Sequence, residues 1–187
     1  MLNNKLFAAY LGGRADGCNI ELHDIAFVVG HSIEDTYGTL ARKWFGNTKK
    51  FHIDAYVDLS LVDGHKISPV RIDEFLENDT LKLFFINFGA YEENLLGEVH
   101  QSAFYVAKDQ IAARARAKKE LCLGMIQTHC DDTIQVDTEI EEDDGIDDII
   151  EIKEIDSFKL KIEPIGDTPP LKINCGYTKI DAKKYRE

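Results

Sequence analysis

Two tandem β-β-α-β-β repeats in an α+β (or α/β) fold are what this 187-residue sequence predicts. The first observation behind that prediction is internal likeness. Displaced by 77 residues without a gap, Lys5, Leu6, Phe7 and Gly12 fall on Lys82, Leu83, Phe84 and Gly89. Glu21 and His23 fall on Glu98 and His100, Ala26, Phe27 and Val29 on Ala103, Phe104 and Val106, and His52 and Asp54 on His129 and Asp131. The second observation is periodicity: in each copy apolar residues alternate, then take helical spacing, then alternate again. The third is length, enough for one sizeable domain or two small ones sharing a core. The predicted units are 5–75 for the first repeat, 81–150 for the second, and 151–187 for a C-terminal β extension packed on the second. Neither repeat has a large core alone. The copies are therefore expected to bury faces against each other about a pseudo-two-fold axis, with mixed sheets and the helices on one side.

In the first copy, residues 5–11 are apolar on both faces, as in a buried strand. The glycine density of residues 12–17 reads as a loop. Ile25, Phe27 and Val29 alternate at strand period. Ser32 and Asp35 have the spacing of a capping box, and Ile33, Tyr37, Leu40, Ala41 and Trp44 follow helical spacing, with Gly46 placed to cap the C-terminus. From Phe51 the period returns to two, putting Phe51, Ile53, Ala55, Val57 and Leu59 on one face. Val62-Asp63-Gly64-His65 reads as a tight turn into a further strand, 66–72.

The second copy reads alike: strands at 81–88, 98–107 and 128–136, a loop at 90–96, and an Ala/Arg/Lys-rich helix at 109–123 before Gly124. Asp144-Gly145 offers a turn, Ile150 and Ile152 a strand. Phe158, Leu160 and Ile162, then Leu171, Ile173, Cys175 and Tyr177, complete the strand pattern on either side of the Thr168-Pro169-Pro170 turn.

The formal charge of −12 is localised: residues 131–156 hold thirteen acidic side chains and one lysine, and the remainder is neutral. No Lys/Arg surface dominates, which argues against nucleic acid as a partner. No apolar run approaches the roughly 20 residues that span a bilayer, and the start lacks signal-peptide features. Cys18, Cys122, Cys130 and Cys175 are scattered, with no Cys-x-x-Cys pair; a cytoplasmic location with free thiols is expected.

Residues i and i+2 on a strand point the same way, so Glu21 pairs with His23 and His52 with Asp54. If the strand-helix-strand segment is a right-handed parallel crossover, both strands start at one end of the sheet. Glu21, His23, His52 and Asp54 then gather along one edge, and Glu98, His100, His129 and Asp131 do so in the second copy. Such a set can hold zinc, or iron in a two-His-one-carboxylate arrangement; without metal, a His–carboxylate pair can serve as general base. One argument opposes a tight cluster. His23 shares its face with Ile25, Phe27 and Val29, whereas His52 and Asp54 lie opposite Phe51, Ile53 and Ala55. A single helix layer over both apolar sets would send the two histidines to opposite sides. The preferred reading is structural: strand-end histidines held by carboxylates, with no cofactor.

Other features carry less. Gly12-Gly13 is not a phosphate loop, since no Gly-Lys-Ser/Thr follows. The acidic run lacks EF-hand spacing and reads as a solvated face, with docking to a basic partner as the alternative. Arg114, Arg116, Lys118 and Lys119 read as the solvent side of the second helix. Cys130, between His129 and Asp131, is the one thiol worth testing for reactivity.

The chain resembles the bacterial domain-of-unknown-function family 1543, in two tandem copies over roughly residues 5–125. In the first copy the resemblance rests on Leu6-Phe7, Gly12-Gly13, Asn19-Ile20-Glu21-Leu22-His23-Asp24, Phe27-Val28-Val29, Trp44-Phe45-Gly46, His52-Ile53-Asp54 and Val62-Asp63-Gly64. In the second it rests on Leu83-Phe84-Phe85-Ile86-Asn87-Phe88-Gly89-Ala90-Tyr91 and Glu98-Val99-His100. Phe45, His65 and Ala90 depart from that pattern, where the family tends to Trp, Tyr and Gly. The resemblance supports the two-copy reading and implies no activity. Two functions remain open: a cytoplasmic protein, monomer or homodimer, that binds a small molecule or a protein in the inter-repeat cleft, or a metal-dependent or His/carboxylate enzyme using the paired residues.

Overall fold

In this computed structural model the described residues are 4–75, 81–136, 155 and 157–185, without the side chains of 127 and 129–136. The strands are β1 (Lys5–Arg14), β2 (Leu22–Gly30), β3 (Asn47–Asp58), β4 (Leu61–Val62), β5 (His65–Arg71), β6 (Lys82–Tyr91), β7 (Val99–Ala107), β8 (Ile126–Val136), β9 (Phe158–Pro164) and β10 (Ile173–Lys179). Helix α1 (Tyr37–Lys43) follows β2, and α2 (Gln110–Glu120) follows β7. The architecture is α+β. Three sheets, ordered β10-β3-β1-β2, β4-β5-β9 and β7-β6-β8, are antiparallel at every pairing among the described residues, where mixed sheets were expected.

The reciprocal bonds of the Ser32/Asp35 pattern form: Asp35 Oδ2 accepts from the Ser32 backbone N–H (3.1 Å), and Ser32 Oγ accepts from the Asp35 N–H (3.4 Å). They precede a 3-10 turn, Glu34–Thr36, and α1 itself starts only at Tyr37, with no side-chain cap. Asp109 caps α2 by accepting from the Ala112 N–H at 2.8 Å. Gly46 is no left-handed cap: α1 ends at Trp44 in extended geometry, and a Cβ on residue 46 would strike the Arg14 carbonyl and the Trp44 indole. The Asp63-Gly64 turn has both residues at positive φ (52° and 77°), the geometry of a two-residue hairpin.

The helices do not share one side. Leu40, Ala41 and Trp44 bury with Phe7, Ala9, Leu11, Val28, Phe51 and Ile53 on the outer face of the four-stranded sheet. Ala113 and Ala117 of α2 bury with Phe84, Ile86, Phe88 and Tyr105 on the outer face of the β7-β6-β8 sheet. The inner faces of the two sheets meet in a third cluster, where Leu6, Ala8, Phe27 and Val57 contact Leu83, Phe85 and Val106. Phe27 sits edge-on to Phe85 and to Phe104, with ring centroids 6.1 and 6.3 Å apart. Each sheet is buried on both faces, which is why β1 and β6 are apolar throughout.

The segment after 150 departs from its expected place. β9 hydrogen-bonds to β5 and β10 to β3, both strands of the first unit rather than the second. Ile155, Leu160 and Ile162 still reach the central cluster beside Leu83 and Phe85. The predicted Asp144-Gly145 turn, the Ile150/Ile152 strand and most of the acidic run lie outside the described residues.

Two features of β1 and β3 decide where polar groups meet. β1 continues through Gly12 and Gly13 instead of ending in a loop. In the β1–β3 pairing Tyr10 faces Ala55 but Leu11 faces Ile53, so Asp54 is the extra residue of a β-bulge. The bulge breaks the predicted single face of β3: Phe51 and Ile53 pack on the α1 side, Val57 and Leu59 in the central cluster. The register of β6 with β7 and β8 follows the same scheme, with Gly89 opposite His100 and His129, and with Asp131 skipped between Asp132 and Cys130.

Candidate functional site

Gly12 is the direct cross-strand partner of His23 on one side and of His52 on the other. Direct partners point to the same face of a sheet, so His23 and His52 stand together, flanking a residue with no side chain. The argument for opposite sides fails because the apolar sets beside them belong to different layers. Ile25, Phe27 and Val29 face the central cluster, while Phe51 and Ile53 face α1. A Cβ on residue 12 would lie 2.7 Å from Asp54 Oδ2 and on top of the His52 imidazole. The glycine is therefore a requirement of the site. Gly13, one residue on, leaves room for the Trp44 indole on the opposite face.

Four side chains close a ring there. His52 Nε2 is 3.1 Å from Asp54 Oδ1 and 3.8 Å from Glu21 Oε1; His23 Nε2 is 3.2 Å from Asp54 Oδ2 and 4.0 Å from Glu21 Oε2. His52 is 1% exposed while the other three are about one-third or more exposed, so the ring has a buried floor and an open rim. Two tyrosines bracket it. Tyr10 stacks on His23 with centroids 5.4 Å apart and planes 9° apart, and Tyr177 of β10 covers His52 at 4.2 Å. Burial, with the Asp54 and Asp24 carboxylates nearby, pushes the Tyr10 phenol up, so it keeps its proton.

Hydrogen inventory shows what the ring lacks. His52 Nδ1 lies against the Lys50 carbonyl, which can only accept, so Nδ1 carries the hydrogen. Nε2 is the nitrogen that faces Asp54 Oδ1, at 3.1 Å. Asp54 Oδ2 is buried without a hydrogen-bond partner; its 3.2 Å contact with His23 is a charge contact out of line for a hydrogen bond. That oxygen is an acceptor left without a donor. Among the described residues no group of three or more His, Cys, Asp or Glu side chains is placed to hold a metal ion.

Of the second set, Glu98 Oε2 lies 3.5 Å from His100 Nε2, and backbone register brings His129 beside Gly89. The side chains of His129, Cys130 and Asp131 are outside the described residues.

The face that carries the ring continues inward as an apolar cleft. Tyr10, Ile25 and Ala55 form the next cross-strand layer, then Ala8, Phe27 and Val57. Opposite them, Phe85, Ala103 and Phe104 of the other sheet complete a cavity of about 420 Å³. Tyr10 belongs to both cleft and ring. Sequence reasoning found the four polar residues but missed Gly12 as their spacer, and Tyr10 and Tyr177 as their walls. The recurrence of glycine at 12 and 89, each at one interval before a Glu-x-His, was the available signal.

The family model described as Domain of Unknown Function (DUF1543) matches residues 18–68, the stretch that holds Glu21, His23, His52 and Asp54. The chain belongs to this family. One DUF1543 copy is matched, where the resemblance had spanned two. A crystal structure of the protein Il1583 from Idiomarina loihiensis is similar over 95% of this chain and 98% of that one, with 31% identity and a TM-score of 0.66. No curated protein matches the DUF1543 chain. No described helix is long and apolar enough to cross a membrane.

Proposed function

We propose that the protein is a fused pair of like units related by an approximate two-fold axis, and that it binds a small molecule in the cleft between them. The displaced registers support the pairing, as does the contact of Phe27 with Phe104, its counterpart 77 residues on; equivalent residues touch each other at a two-fold axis. The observation that carries the binding reading is the continuity of the cleft with the ring through Tyr10. An apolar cavity of about 420 Å³ with a few convergent polar groups is the common form of a small-molecule site. Acid–base catalysis by the ring is the second reading, favoured by the Lys50 carbonyl that orients the His52 imidazole.

The test uses Nile red, a neutral apolar dye. Saturable binding with a blue-shifted emission is expected for the full chain, and loss of it in Ala55→Trp, which fills the cleft beside Tyr10. Binding that Ala55→Trp leaves intact would place the dye elsewhere and remove the support.

A further inference from the structure

Resting on the cleft reading, we infer that the ligand is an apolar molecule ending in a protonated amine, its body between the sheets and its ammonium at Glu21 and Asp54. The apolar end follows from the lining: Ala8, Ile25, Val57, Phe85 and Phe104 offer nothing to pair with a charge. The polar end follows from the ring. Glu21 and Asp54 bring two carboxylates that stand within 4.0 Å of imidazole nitrogens, and among the described residues no lysine or arginine pairs with either. The ring already holds an acceptor with no donor, the buried Oδ2 of Asp54. A carboxylate headgroup would deepen that deficit. An ammonium reverses it, because it supplies three donors and a positive charge and has no acceptor.

Spacing agrees with this division. The ring at Gly12 is one same-face step, about 7 Å, beyond the cleft layer at Tyr10. Glu21 and Asp54 line the open rim, 40% and 32% exposed, so a headgroup reaches them from the cleft mouth without disturbing the His52 floor. Tyr10, between the two regions, presents a ring against which a cation can rest.

The experiment is displacement of Nile red from the full chain by phenylbutylamine and by phenylbutyrate, which match in shape and differ in charge. The amine is expected to displace the dye at a concentration at least about tenfold lower. In Glu21→Gln, a change at a half-exposed side chain, the preference should shrink severalfold while Nile red binds as before; Asp54→Asn, checked for an unchanged fold by its circular dichroism, should do the same. Equal displacement by amine and acid, or a preference untouched in both variants, overturns the inference and leaves the cleft reading standing. Stoichiometric uptake of zinc, lost in His52→Gln and without amine preference, overturns it in favour of a metal cation. Failure of the wild type to bind Nile red defeats the cleft reading and this inference with it.

Discussion

Gly12 and His52 occupy one volume: they are cross-strand partners, and the imidazole lies where a side chain on residue 12 would stand. Gly12→Ala is therefore expected to cost about 1–3 kcal/mol, as overpacking does, and to push His52 off Asp54. Urea unfolding measures the first effect and the imidazole proton shifts of His52 the second. A Gly12→Ala protein as stable as wild type, with those shifts unmoved, would contradict the shared volume.

The two histidines should respond unequally. His52 is 1% exposed and His23 38%, so His52→Ala opens a buried cavity, at about 2–4 kcal/mol. His23→Ala is expected to cost less than about 1 kcal/mol. Equal losses in paired urea titrations would show that the burial difference does not matter.

Asp63 in the β4–β5 turn and Arg116 of α2 form a clamp, although the sequence pattern put Arg116 on the solvent side of its helix. Arg116 donates to both Asp63 oxygens at 2.6 and 2.8 Å, and the Val106 N–H adds a bond at 2.9 Å. Burial pushes the Asp63 carboxyl up, but these donors and the guanidinium charge outweigh it and hold it below the usual range. As pH falls the unfolded chain takes up this proton first. The contribution is thus complete above the unfolded value, near ~3.9, and is lost as pH drops below it toward the folded value. Wild type should lose urea stability more steeply than Asp63→Asn in that acid window. At neutral pH, Arg116→Ala should cost about 1 kcal/mol, because the pair is partly solvated.

Phe27 and Phe104 touch across the two sheets. Phe27→Ala should cost about 3–5 kcal/mol, and the double variant should lose less than the sum of the singles by about 0.5 kcal/mol or more. Additive losses in a double-mutant cycle would mean that the rings do not interact.

Much of the fold could be read in advance, and for local reasons. The reciprocal Ser32/Asp35 bonds and the Asp63-Gly64 hairpin are decided by neighbouring residues, and both form as their residues predicted, although α1 itself starts only at Tyr37. The four polar residues of the first copy could likewise be named, because strand period and the 77-residue interval mark them. Their meeting could not be seen, since it turns on Asp54 being skipped in the pairing with β1. A bulge reverses the facing of every residue beyond it and leaves no trace in an apolar alternation that is buried on both sides.

Residue order alone was enough for most of the elements and the identity of the acid and imidazole groups, which depend on contacts a few positions apart or on comparison of the chain with itself. Only the packed molecule decided that the helices take opposite outer faces, that β9 and β10 join the first unit, and that His23 and His52 converge over Gly12. Those outcomes depend on which of two apolar faces meets which partner. Burial energy is non-directional, so it rewards either choice until the whole chain is in place.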